Sequence, residues 1–212
     1  MMSFATKDTL HAGIEVWGSK SNWPRDFHNS LYRELAAVKA RGLPMFWNYA
    51  LDQLSAWRAI RPKKKEFIDQ QGRDRLKQMA SAYEAILAAY GSAEPDLSLG
   101  SWSALEDLYR IAVEIKGVSS PVFASKLCHF LMPNSYIVID GKVVGWSPGD
   151  PIRVYQSYWT RCQEAWHDCT ERTRLRDQLA STMIGQAISS YPWSTKIMEL
   201  CYAGAKTMGY VL

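Results

Sequence analysis

The chain has 212 residues, of which 47% are hydrophobic and 22% charged, enough apolar surface to build a core and too much for intrinsic disorder. Twenty-five Lys and Arg against twenty-one Asp and Glu leave a formal charge of +4, which does not establish a nucleic-acid partner but permits one where the cations cluster. Four cysteines, none in a C-x-x-C pair, exclude a disulfide scaffold, a zinc ribbon and a thioredoxin-type site. No apolar run reaches membrane-spanning length. The opening stretch MMSFATKDTLHAGIEVWG has no basic region followed by an apolar run, so we expect no signal peptide and a cytoplasmic, reducing environment. Nine Trp and eleven Tyr supply more rigid aromatic surface than a core of this size needs.

Taken in chain order, nearly every periodic segment reads as helix. Asn29 or Ser30 is placed to cap SLYRELAAVKAR, with Leu31, Leu35 and Val38 on one face and Gly42 as the stop. Pro44 suits the first turn of a second helix that ends before Pro62. A third helix is expected from Lys65 to Tyr90, with a break at Gly72 and closure at Gly91. After the loop SAEPDLSLGS, Ser103 and Glu106 form the pattern of a capping box opening SALEDLYRIAVEIK, which Gly117 ends. Helices over 121–132, 154–169, 174–188 and 194–206 complete the reading. Tyr136 to Ile139 is strand-like but too short and isolated to form a sheet. The expectation is an all-α protein, one helical domain over 1–212 whose two lobes meet near 91–100, with a cleft between them.

The segment IKGVSSPVFASKLCHFLMPNSYIVIDGKVVGW carries the most information. It reads as a helix, a tight Gly-Val turn, a second helix and a short extended run. A hairpin between two helices exposes backbone N–H groups that suit a phosphate oxygen. Lys126 falls between Val122 and Phe130 on an apolar stripe, where partial desolvation lowers an amine's pKa and frees it as a nucleophile. The run YIVID is apolar up to Asp140, so its carboxylate emerges beside the same helix. The ordinary alternative is a salt bridge locking that helix to the next segment. His129, on the same side, reads as a satisfied core histidine.

Ile115 to Ser119, the helix with Lys126, and Ile137 to Val143 resemble the helix-hairpin-helix DNA glycosylases, most of all the 8-oxoguanine glycosylase branch and its compact bacterial members. The resemblance implies a helix-hairpin-helix element gripping DNA through Gly117, Val118, Ser119 and Ser120. Lys142, two positions after Asp140, reads as pointing at a phosphate or solvent, and is a rival nucleophile only under a shifted register. It makes Lys126 the nucleophile on the sugar C1′ and Asp140 the carboxylate that offsets developing positive charge. It implies base excision with strand cleavage through a Schiff base. It implies no cofactor, because the iron–sulfur cysteine cluster of some branches is absent. A non-catalytic DNA-binding hairpin module is the alternative, and a helical interaction protein with no nucleic-acid role is a third reading.

Two basic runs stand out, Arg58, Arg61, Lys63, Lys64 and Lys65, and Arg172, Arg174 and Arg176. Each is either a solvated face or a DNA contact. A flipped base needs flat side chains to stack on, and Trp17, Trp23, Trp47, Trp57, Trp102, Trp146 and Trp193 are available. Trp193 opens the last helix, whose apolar face is Ile197, Leu200 and Cys201. Cys162, His167 and Cys169 lie at helical offsets of five and seven, which do not converge, so no metal site is read there.

Overall fold

The computed structural model describes residues 3–19, 27–116, 120–140 and 150–212. Among these residues there are ten α-helices and no β-strand. The helices are α1 (Lys7–Gly18), α2 (Asn29–Ala40), α3 (Leu43–Ala56), α4 (Lys65–Asp74), α5 (Leu76–Ala89), α6 (Trp102–Lys116), α7 (Pro121–Leu131), α8 (Pro151–Asp168), α9 (Arg172–Thr182) and α10 (Trp193–Thr207). A single 3₁₀ turn, Pro62–Lys64, precedes α4.

Local chemistry sets the ends of several of these helices. The Thr6 side chain and Thr9 form a reciprocal capping box at the head of α1, and Asp150 accepts from the Ile152 and Arg153 amides ahead of Pro151 in α8. α3 closes in a Schellman motif. The Ala59 amide donates to the Leu54 carbonyl at 2.8 Å and the Arg58 amide to the Ser55 carbonyl at 3.0 Å, with Arg58 left-handed at φ 55. A non-glycine residue held there costs about 1 kcal/mol.

Two helices occupy the centre. In α7 every residue from Phe123 to Leu131 is buried, and in α10 every residue from Thr195 to Ala205. α10 meets α1 backbone to backbone. A Cβ added at Gly13 would stand 2.0 Å from the Leu200 carbonyl oxygen, and one at Gly204 would stand 1.9 Å from that of Thr9. No other residue type fits this crossing.

Residues 136–140 run extended between α7 and α8 with no ladder partner among the described residues, and side chains take over the role of a neighbouring strand. The Tyr155 hydroxyl accepts from the Ile137 amide at 3.1 Å and donates to its carbonyl at 2.8 Å. Tyr158 donates to the Val138 carbonyl at 3.0 Å, and Ser125 Oγ accepts from the Ile139 amide at 3.1 Å. Buried backbone polar groups are thus paired without a sheet.

Several boundaries differ from the sequence reading. The helix over 65–90 is two helices, and the break falls at Arg75, not Gly72. Gly72 is needed because the Trp47 indole lies on it, 1.9 Å from where a Cβ would be. α2 starts at Asn29 with His28 as a left-handed N-cap, φ 46. The Asn29 amide group instead reaches residues 186–188, where its Oδ1 accepts from the Ile188 amide at 3.1 Å. That tether lies in the stretch where the expected 174–188 helix is absent: α9 stops at Thr182. α6 begins at Trp102, and Glu106 pairs with Arg110 one turn on.

Candidate functional site

Lys126 sits in the middle of α7 and is only 8% exposed. Its Nζ donates to the Trp57 carbonyl at 3.0 Å and lies 5.8 Å from the centre of the Trp57 ring. The Schellman turn after α3 stands directly behind that carbonyl. Burial lowers the Lys126 pKa. The charges of Asp140 and Glu199 oppose the shift, and Lys196 reinforces it.

Asp140 is half-buried at the end of the extended segment. The Ile139–Ser125 hydrogen bond fastens that segment one residue before Lys126, which brings the carboxylate within electrostatic reach of the amine. The two residues singled out from the sequence therefore share one neighbourhood.

The neighbourhood also contains groups the sequence reading missed. Lys196, 1% exposed, and Glu199 lie one turn apart on α10 with Nζ and Oε2 at 3.0 Å. Lys196 Nζ is 5.4 Å from the centre of the Trp57 ring, so two lysines share one indole. Burial pushes the Glu199 carboxyl up, and Lys196 draws it back. The His28 ring is 5.4 Å from that of Trp57, and burial, then the Lys196 charge, brings its pKa down to about 3. Phe130 completes the surround of Trp57 at 5.0 Å. The available signal was a Lys and a Glu spaced i, i+3 within the apolar run of α10.

His129 is the satisfied core histidine expected. Its Nδ1 donates to the Tyr136 carbonyl at 2.7 Å, which leaves Nε2 to accept from the Tyr32 hydroxyl at 2.9 Å. Burial, with Lys196 next, holds its pKa well below the ordinary value. Beyond it Tyr32, Tyr191, Phe27 and Trp193 pack edge to face, at 5.7 Å for Tyr32–Tyr191 and 4.8 Å for Tyr191–Trp193. The Arg176 guanidinium lies 4.9 Å from the Trp193 ring centre. Trp47 and Trp102 are buried core, whereas Trp57 and Trp193 are half-buried.

Gly117, Val118, Ser119 and Lys142 lie outside the described residues, as do Trp23 and Trp146. The helices on either side of 117–119, α6 and α7, pack on each other. Ser120 is half-buried, and its Oγ accepts from Lys116 Nζ at 3.1 Å. In the second basic run, Arg174 pairs with Glu171 at 2.8 Å, and Arg172 donates to the Trp166 and His167 carbonyls at 2.9 and 2.7 Å. Cys162 and Cys169 are buried while His167 is exposed. Among the described residues no group of His, Cys, Asp and Glu is arranged to hold a metal ion, and no helix is long and apolar enough to cross a membrane. A cleft lined in part by Ser3, Phe4, Arg161 and Asp168 shares no residue with the Lys126 cluster.

Comparison with protein-family models, with curated proteins and with solved structures returned no match.

Proposed function

We propose that the chain is a DNA glycosylase with AP-lyase activity, which excises a damaged or modified base through a Schiff base on Lys126. The observation that carries this reading is a desolvated lysine amine with Asp140 delivered beside it by the next segment of chain. A neutral amine has a lone pair to give, and burial is what favours the neutral form. The Lys126 nitrogen forms a bond to C1′ as the C1′–base bond breaks, the departing base taking the electron pair and one of the two protons of the attacking amine. Asp140 offsets the positive charge that develops on the sugar. The remaining N–H proton passes to O4′ as the C1′–O4′ bond breaks and the sugar ring opens to the imine, and removal of a C2′ proton then drives the β-elimination that expels the 3′ phosphate.

The Lys126–Trp57 hydrogen bond also supports a second reading, a DNA-binding module in which Lys126 tethers α7 to the end of α3. Borohydride trapping on duplexes holding 8-oxoguanine, uracil or an abasic site separates the two. We expect a trapped adduct with the wild type that disappears in a folded Lys126→Gln variant. No adduct on any duplex, or one that survives Lys126→Gln, overturns the lysine mechanism.

A further inference from the structure

The turn that presents the Trp57 carbonyl to Lys126 continues outward as a ridge of cations. Arg58, Arg61, Lys63 and Lys64 are all exposed, and between residues 57 and 68 Glu66 is the only acid in the sequence. Lys65 is paired with Asp52 at 2.6 Å. Among the described residues Arg58, Arg61, Lys63 and Lys64 form no ion pair, and Lys64 Nζ lies instead 5.8 Å from the centre of the Phe67 ring, itself 52% exposed. The base of the ridge is fixed. Lys116, the last residue of α6, donates to the Ala59 carbonyl at 2.7 Å and to Ser120 Oγ at the head of α7. The loop is therefore held against the α6–α7 junction.

Arg58 is the informative residue. It occupies the left-handed position of the Schellman turn, where glycine is the unstrained choice, yet an exposed arginine stands there. Non-glycine residues kept in such conformations concentrate at functional sites.

We infer that the 58–64 ridge is the surface on which the phosphate backbone of duplex DNA runs past the Lys126 site. The choice of DNA rests on the glycosylase reading. A sugar reacting at Lys126 carries a phosphate on either side, and one peptide bond separates Trp57, in contact with the amine, from Arg58 at the start of the ridge. Charge complementarity to the phosphates supplies the affinity.

Arg58→Gly isolates the charge, because glycine takes the left-handed turn without strain and leaves the Trp57 carbonyl in place. Binding is measured by fluorescence anisotropy on a duplex with a non-cleavable tetrahydrofuran abasic site, from 50 to 200 mM salt. The slope of log K against log salt is expected to become shallower by about 1 in Arg58→Gly and by about 3 in Arg61→Gln/Lys63→Gln/Lys64→Gln, with Arg58→Gly melting no lower than wild type. Unchanged affinity and slope in both variants overturns the inference. So does a wild type that binds no duplex, or one whose ridge governs binding to phosphatidylserine vesicles and not to DNA. Ridge-dependent duplex binding without a trapped adduct leaves the ridge standing and removes the lysine chemistry instead.

Discussion

Lys196→Met tests whether the buried pair on α10 is an ion pair. Lys196 is 1% exposed and lies 3.0 Å from Glu199, so methionine removes the cation paired with a buried carboxylate and leaves it only the charge of Lys126. That carboxylate has an escape, which is to take up a proton. From an ordinary value of 4.5, holding Glu199 protonated at pH 7 costs about 3.5 kcal/mol at roughly 1.4 kcal/mol per pH unit. Burial already holds the wild-type Glu199 carboxyl above that value, so part of this cost is present before the substitution, and Lys196→Met should lose at most about 3.5 kcal/mol at pH 7. The proton becomes easier to supply as pH falls, so the difference from wild type should shrink to at most about 1 kcal/mol at pH 5. Lys196→Met/Glu199→Gln removes both charges and should recover most of the loss at pH 7. Urea unfolding of the three proteins at both pH values reads all of this. A difference for Lys196→Met that is the same at pH 7 and pH 5, or one below 1 kcal/mol at pH 7, refutes the buried ion pair.

Gly204→Ala should cost at least 2 kcal/mol in the same assay, because the new methyl meets the Thr9 carbonyl at 1.9 Å where two backbones touch. Gly18→Ala, at a helical position with nothing within 4 Å of the added Cβ, is the control and should be neutral or slightly stabilising. Acid should weaken the fold through the buried histidines. The pKa of His28 is about 3 when folded against 6.5 as the ordinary value, so only the unfolded chain takes up this proton as pH falls below 6.5. The stability His28 contributes is complete above pH 6.5 and is lost progressively toward pH 3, about 3 kcal/mol of it between pH 7 and pH 4.5. His129 acts in the same direction, and a His28→Gln variant should show a smaller loss over that interval.

The fold class was legible in the sequence because helical periodicity and punctuation are local signals. Pro44, Gly42 and the apolar spacing of SLYRELAAVKAR place α2 and α3 within a few residues of their observed limits. The errors came where a distant partner claimed a residue that local rules had assigned elsewhere. Asn29 looked like a cap and is a tether to Ile188, 159 residues on. Gly72 looked like a helix breaker and is the seat of the Trp47 indole. Lys126 and Asp140 were legible because fourteen residues and one turn bring them together. Lys196 and Glu199 were not, since their place beside Lys126 depends on how α10 crosses the molecule.

The same crossing links stability to the chemistry proposed at Lys126. Trp57 is wedged between two lysines, a histidine and a phenylalanine, and it is the last residue before the turn that opens the basic ridge. A nucleophilic amine needs a dry, fixed surround, and dryness here comes from burying charges that must then be paired. Lys196 and Glu199 meet that need between themselves, at 3.0 Å, while Lys126 donates to a neutral carbonyl. An amine whose hydrogen bond runs to a carbonyl gains less from staying protonated than one held by a carboxylate. The arrangement thus places the lysine bonded to a carboxylate on α10 and the lysine bonded to a backbone carbonyl on α7, within electrostatic reach of the carboxylate at the end of YIVID.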